Sequence, residues 1–229
     1  MKEALRQFRS VDVFAVTFCS TITMGIAFLP YVSDVEVRSA WLKLIVGSTP
    51  YFFLIWLIYL FTRKYPDYDF FGALKQNVWK GLYWFLMLYF ILSTLFSLSK
   101  GVNDFNLLVR TFLLFNTPKW SIILSFLLVV FIGVYYGIQS ITRFAVLFFT
   151  LEALFIIFIC IFSFGESFHW FFVPPIFTTD ILTFLRSSLS DAARYGGTVV
   201  LLGYIMYVKK NEPIGKAMSL ALLLSLIHI

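Results

Sequence analysis

The sequence predicts an all-α polytopic membrane protein, on three observations. Of its residues 60% are hydrophobic and only 13% charged, where a soluble globular chain is about half apolar and about a quarter charged. Apolar stretches of bilayer-crossing length recur six times, separated by short polar segments. The excess of basic residues, a net charge of +6, falls in those segments. There it reads as a determinant of membrane topology rather than as a nucleic-acid surface, and no nucleic-acid partner is expected. The whole chain, residues 1–229, reads as one transmembrane domain with the lipid bilayer as its solvent.

The first span covers residues 13–33, an uncharged run of 21 residues between Asp12 and Asp34. Its length fits a bilayer crossing at about 1.5 Å per residue. Thr17, Ser20, Thr21 and Met24 recur on one helical face, followed by Gly25 and then by Pro30, which cannot donate to the helix ladder. A purely lipid-facing helix has no use for that stripe. One reading is a helix that breaks near Gly25 and offers freed backbone groups to a small ligand in mid-membrane. The other is a packing seam of small residues. The basic start MKEALRQFRS carries no cleavage site behind it, so the first helix is expected to be retained.

The second span is residues 44–62, with Pro50 placed to kink it and Arg63 and Lys64 closing it. Residues 65–80 mix Pro, Asp, Gly and aromatics and are expected to be a loop holding a short interfacial helix. The third span, residues 81–99, carries Tyr89, Ser93 and Ser97 every four residues, a stripe expected to face protein or water. Residues 101–118 contain Asp104 and Arg110 and either extend that helix or lie along the surface.

Spans four and five, residues 121–137 and 142–165, form a tight hairpin through turn sequence between Gly137 and Arg143. Residues 166–185 are loop with an amphipathic piece at ILTFL. The sixth span, residues 187–208, contains the unusual stretch DAARYGGT. After Pro213 an apolar run from Ala217 to Ile229 is too short to cross. It is expected to be a partial seventh span of a chain that continues further.

If the N-terminus is cytoplasmic, 11 Lys and Arg lie on the inner side and 6 on the outer, with Arg194 inside a span. The positive-inside rule therefore favours that orientation. Trp41, Trp79, Trp84, Trp120 and Trp170 lie near span ends, as interfacial belts do, and Cys19 and Cys160 read as core thiols rather than as a disulfide.

Charge inside hydrocarbon costs several kcal/mol, so Glu152, Asp191 and Arg194 are candidate functional residues. Glu152 lies close to the midplane of its span, and either handles a ligand, proton or partner or makes a buried structural hydrogen bond. Asp191 and Arg194, three residues apart, can pair on one helix face. Tyr195, Gly196, Gly197 and Thr198 form the second weak point, because two adjacent glycines cost a helix about 1 kcal/mol each. Breakable points in the first and sixth spans are the pattern of two inverted five-helix repeats sharing one central site. Walker, GxSxG and HExxH motifs are missing, and the histidines are His169 and His228, so no enzyme, metal site or cofactor is expected.

GIAFLP in the first span, RKYPDYDFFGAL after the second, NTP before the fourth, YYGIQSITRFAVLF across the fourth and fifth, and YGGTVVLLGYIMYVKK at the sixth together resemble the spore germination permeases. These are the membrane B subunits of endospore germinant receptors, within the amino acid–polyamine–organocation superfamily. The resemblance implies a LeuT-like fold of ten helices in a five-plus-five inverted repeat, of which this chain would hold about six and a half.

It also implies an inner-membrane receptor subunit that binds a small nutrient, typically an amino acid, and works with an A subunit and a lipoprotein C subunit. Gly25 and Ile26 match the break in the first helix, and Tyr195, Gly196 and Gly197 that in the sixth. By this resemblance a carboxylate would meet amides near Gly25, an ammonium the carbonyls near Gly196, and a side chain Tyr89, Ser93 and Met24; Thr21 and Thr198 flank the same site. An ordinary amino-acid permease and a non-binding scaffold of a receptor complex are the alternative functions.

Overall fold

The computed structural model describes residues 7–27, 40–66, 68–163, 180–190, 196, 197, 199–209 and 211–228. Among them the chain is helical: α1 Ser10–Ala27, α2 Ala40–Lys64, α3 Phe70–Asn77, α4 Lys80–Phe112, α5 Lys119–Tyr136, α6 Ile138–Ser163, α7 Ile181–Ser190, the short α8 Leu201–Tyr204 and α9 Ile214–His228. Four of these helices contain stretches long and apolar enough to cross a membrane: Trp41–Lys64, Lys80–Phe112, Lys119–Tyr136 and Ile138–Ile159. The chain is an all-α polytopic membrane protein.

α1 starts where carboxylates meet its first amides. Asp12 Oδ2 accepts the Arg9 N–H at 2.7 Å and Glu212 Oε2 accepts the Ser10 N–H at 2.8 Å. Both satisfy donors that a helix start leaves unpaired and place negative charge at the positive end of its dipole. The rest of α1 packs against α9 on one side and α6 on the other. Ala217, Ala221 and Ser225 recur every four residues on α9 and are all buried. Small residues at that spacing let two helices approach closely, and in lipid such contact replaces the hydrophobic effect as the source of association. Met218 and Leu222 join Val13, Ile55, Ile58 and Leu201 in the main core, while Phe18, Ile22, Ile156 and Ala221 form a second cluster. Phe149 of α6 meets Phe14 and Phe18 edge-on, at 4.9 and 5.1 Å between ring centroids.

α2 runs unbroken through Pro50. Proline leaves the carbonyl four residues earlier without its ladder donor, and the Thr49 hydroxyl supplies one, donating to Val46 O at 2.7 Å. α3 is the short helix expected in the loop after α2. α4 is continuous over 33 residues, so the segment after the third span extends that helix rather than lying apart from it.

α5 and α6 are joined by Gly137 alone, at φ +81°. The turn expected to reach Arg143 is thus one residue long. A glycine in the left-handed region reverses the chain at little steric cost, leaving the residues from Ile138 free to be helical. The apolar faces of α4, α5 and α6 are mostly exposed among the described residues.

The sixth span departs most from expectation. Residues 187–208 do not form one regular helix: α7 ends at Ser190, residues 196–197 and 199–200 have 3-10 geometry, and α8 gives way to a 3-10 turn at Ile205–Tyr207. The adjacent glycines account for this interruption, since each weakens regular helix. α7 also begins earlier than expected, turning the ILTFL piece into helix packed on α2.

The ends of the elements sort consistently. Phe8 forms an isolated parallel bridge with Val208, Gln139 Nε2 donates to Gln7 Oε1, and Arg63 and Lys209 line one pocket. The start of α1, the end of α2, the α5–α6 turn and the segment before α9 therefore share one end of the bundle.

Candidate functional site

The two weak points expected from the sequence concern α1 and the glycine pair, and one of them makes the contact that organises the site. Gly197 is buried against α1: a Cβ built on it would lie 2.7 Å from the Ser20 carbonyl carbon and collide with the Ser20 carbonyl oxygen. Only glycine fits there, because backbone meets backbone. Gly196 beside it faces the hydroxyl of Tyr51 on α2, 4.0 Å from where its own Cβ would stand. The glycine pair is a wedge between α1 and α2.

On α1 the polar stripe is turned into protein, as a lipid-facing helix would not require. Thr17 and Thr21 are fully buried and Ser20 is half-buried. Their protons are committed locally: Thr17 donates to Val13 O at 2.7 Å, and Ser20 and Thr21 both donate to Thr17 O, at 2.9 and 2.8 Å. With each hydroxyl hydrogen spent on the helix, what the oxygens still offer is lone pairs. Of these oxygens the half-buried Ser20 hydroxyl keeps acceptor capacity toward its surroundings, while those of Thr17 and Thr21 face packed protein.

The neighbouring residue points to α6. Cys19 Sγ donates to Ala145 O at 3.4 Å, and Glu152 is close enough to act on Cys19 electrostatically. Glu152 is half-buried and engaged, lying between Phe149 and Ile156, which both pack on α1. Three consecutive α1 residues thus differ in what they meet: Cys19 meets α6, Ser20 receives Gly197, and Thr21 is enclosed and bonded within α1.

One expectation is corrected. α1 is helical through Ala27, so Gly25 and Ile26 lie inside the helix and the break near Gly25 is not there among the described residues. A single glycine costs about 1 kcal/mol, which the surrounding helix formers and packing of α1 outweigh. The amides expected to meet a carboxylate there are part of the helix ladder. Tyr89 and Ser93 are exposed on α4, and Tyr89 touches Phe90 rather than the glycine wedge. Their spacing of four places them on one helix face, which is exposed among the described residues.

Asp191, Arg194, Tyr195 and Thr198, and the side chains of Met24 and Ile26, lie outside the described residues. The structure brings Thr21, Gly196, Gly197 and Glu152 around one turn of α1. It adds Ser20, Cys19 and Tyr51, which were not singled out as site residues; Ser20, a member of the polar stripe on the first span, was the one with a sequence signal.

Below the wedge, Tyr204 ends α8. Its ring stacks on Phe8 at 5.1 Å, and its hydroxyl lies 3.1 Å from Thr142 Oγ1. Thr142 already donates to Ile138 O, so Tyr204 is the donor to Thr142. At the far end of this layer the Ser10 amide holds the Glu212 carboxyl below the usual carboxylate range.

Comparison with curated proteins and with solved structures finds no match. A family model described as spore germination protein matches residues 8–229, nearly the whole chain and every helix described above. The chain belongs to the spore germination protein family of permease-type membrane proteins.

Proposed function

We propose that this chain is the membrane subunit of an endospore germinant receptor, and that it binds a small nutrient, an amino acid, beside the Thr17–Thr21 turn of α1. The observation that carries the reading is the seating of Gly197 on the Ser20 carbonyl. It seats the interrupted sixth segment on the turn of the first helix that carries Thr17, Ser20 and Thr21. Interrupted helices of this kind are how transporters of inverted-repeat architecture hold small polar ligands at mid-membrane. The half-buried Ser20 hydroxyl oxygen suits the ligand's ammonium. Asp191, Arg194, Tyr195 and Thr198 belong to this proposed site by their place in the sequence.

In the same reading the protein works in the inner spore membrane with A and C receptor subunits. The bundle end that gathers Phe8, Arg63, Gln139 and Lys209 faces the cytoplasm, because the segments assigned to that side carry 11 of the 18 Lys and Arg. An ordinary amino-acid permease is the second reading, favoured by Glu152, an intramembrane carboxylate beside α1 of the kind used in proton relays.

The test is thermal stability of the full-length protein in detergent against a panel of amino acids. A ligand at 100 times its dissociation constant adds about 2.7 kcal/mol. A selective upward shift, absent in a folded Gly197→Ala variant, supports the binding subunit. No shift with any amino acid moves the function to the scaffold reading, and concentrative uptake into proteoliposomes moves it to the permease.

A further inference from the structure

At the end of the bundle where α2 stops, the chain encloses a pocket of about 360 Å³ that the nutrient reading does not use. It lies between the last turn of α2, the residues just after it, and the stretch from Ile205 to Ile214. Its lining divides by chemistry. Val208 and Ile214 are buried and apolar, with Met206 beside them, whereas Arg63 and Lys209 are exposed cations. The carboxylate in the lining, Glu212, has one oxygen committed to the Ser10 amide. The Arg63 guanidinium lies over the Tyr59 ring, 5.8 Å from its centroid, which holds the fork in place.

Depth identifies the occupant. Arg63 and Lys64 end a helix long and apolar enough to cross a membrane, and basic residues at such an end belong at the level of the headgroups. The lining joins the two cations and the polar groups of Thr62, Tyr65 and Asn211 to the apolar Met206, Val208 and Ile214, so it offers a charged part and an apolar part to one occupant. A phospholipid has both parts, with its phosphate outermost and its glycerol and acyl carbons beneath. A guanidinium matches phosphate oxygens two at a time, and an ammonium adds a point charge. Basic pockets between transmembrane helices hold anionic headgroups in this way.

We propose that this pocket binds the phosphodiester headgroup of an anionic phospholipid, with Arg63 and Lys209 on the phosphate and Met206, Val208 and Ile214 under the glycerol end of the chains. Because Glu212 both lines the pocket and caps α1, an occupied pocket is linked by one side chain to the helix carrying the Thr17–Thr21 turn.

The experiment is native mass spectrometry of the full-length protein released from detergent after exchange into phosphatidylglycerol or phosphatidylcholine. Phosphatidylglycerol is expected to be retained over phosphatidylcholine. Arg63→Gln and Lys209→Gln are each expected to weaken retention about fivefold, and Lys43→Gln with Lys100→Gln, away from the pocket, to leave it unchanged. All of these side chains except Lys100 and Lys43 line the pocket surface, and helicity by circular dichroism with a single elution peak confirms folding of every variant. Equal retention of the two lipids, or equal retention of phosphatidylglycerol by wild type and the Arg63→Gln/Lys209→Gln protein, overturns the proposal. So does a thermal shift with inorganic phosphate that the double variant loses while phosphatidylglycerol is not retained, which would assign the same cations to a soluble anion.

Discussion

Glu212 Oε2 accepts the Ser10 amide proton at 2.8 Å, across 202 residues of sequence. The bond ties the start of the first helix to the turn before the last one described. Beside it, Phe8 pairs with Val208, and the Phe8 carbonyl accepts the Lys209 N–H at 3.0 Å.

This attachment has a defined pH dependence. The Glu212 carboxyl is held below its ordinary value, chiefly by the Ser10 hydrogen bond. A carboxylate whose folded value is depressed contributes stability above its unfolded pKa and loses it as pH falls through the folded one. Protection of the Ser10 amide from hydrogen exchange, corrected for the intrinsic rate, is therefore expected to be constant near neutrality and to fall below about pH 4. In Glu212→Gln the protection should be weaker at neutral pH and flat with acid. A wild-type profile that is equally flat would show that the carboxylate does not hold the start of α1.

The two glycines of the wedge are expected to respond differently to the same change. Gly197→Ala drives a methyl into the Ser20 carbonyl, a backbone atom that cannot swing aside. Overpacking of this kind costs about 1–3 kcal/mol. Gly196→Ala meets only the Tyr51 hydroxyl at 4.0 Å, an ordinary contact, and is expected to change stability by about 0.5 kcal/mol or less. Thermal unfolding in detergent, with Gly203→Ala as an unhindered reference, reads the difference. Equal losses at the two positions would contradict the close approach of the sixth segment to α1.

Tyr204 and Thr142 form a directed chain, Tyr204 hydroxyl to Thr142 Oγ1 to the Ile138 carbonyl. Both side chains are buried, so removing the donor leaves an acceptor without its partner. Tyr204→Phe is expected to cost about 1 kcal/mol, and Thr142→Val a similar amount. In the double variant the losses should fall short of their sum, since the interaction can be lost only once. Strict additivity in that cycle would mean that the two hydroxyls do not interact.

How much of this was legible in the sequence depends on what kind of information each feature needs. Helices α2, α4, α5 and α6 follow from apolar length between charges, which is a local property. The buried face of α1 was legible too, because Thr17, Ser20 and Thr21 at helical spacing make no sense against lipid. Gly197 was marked as unusual by its neighbour Gly196, yet its role depends on a carbonyl 177 positions earlier, which no local pattern encodes. Gly25 carried the same signal and is helical, since one glycine is a small bias that packing overrides. Tyr89 and Ser93 define a face without naming what covers it. Tyr51 and Glu212 act only through partners distant in sequence.

The length of α4 sets a mechanical condition on the membrane around it. Its 33 residues extend about 50 Å at 1.5 Å per residue, while the hydrocarbon layer is about 30 Å thick. Upright, α4 carries about 20 Å beyond that layer, and its polar residues fall where this surplus lies: Lys100, Asn103, Asp104, Asn106 and Arg110 all belong to its last half. The apolar first half fills the bilayer and the second stands as a post on one side, braced to α5 where Lys119 Nζ donates to Asn103 Oδ1 at 3.0 Å. A bilayer that thins or thickens must tilt such a post or slide along it. Because α4 also touches α1, the tilt of this post and the position of the helix on which Gly197 rests are not independent.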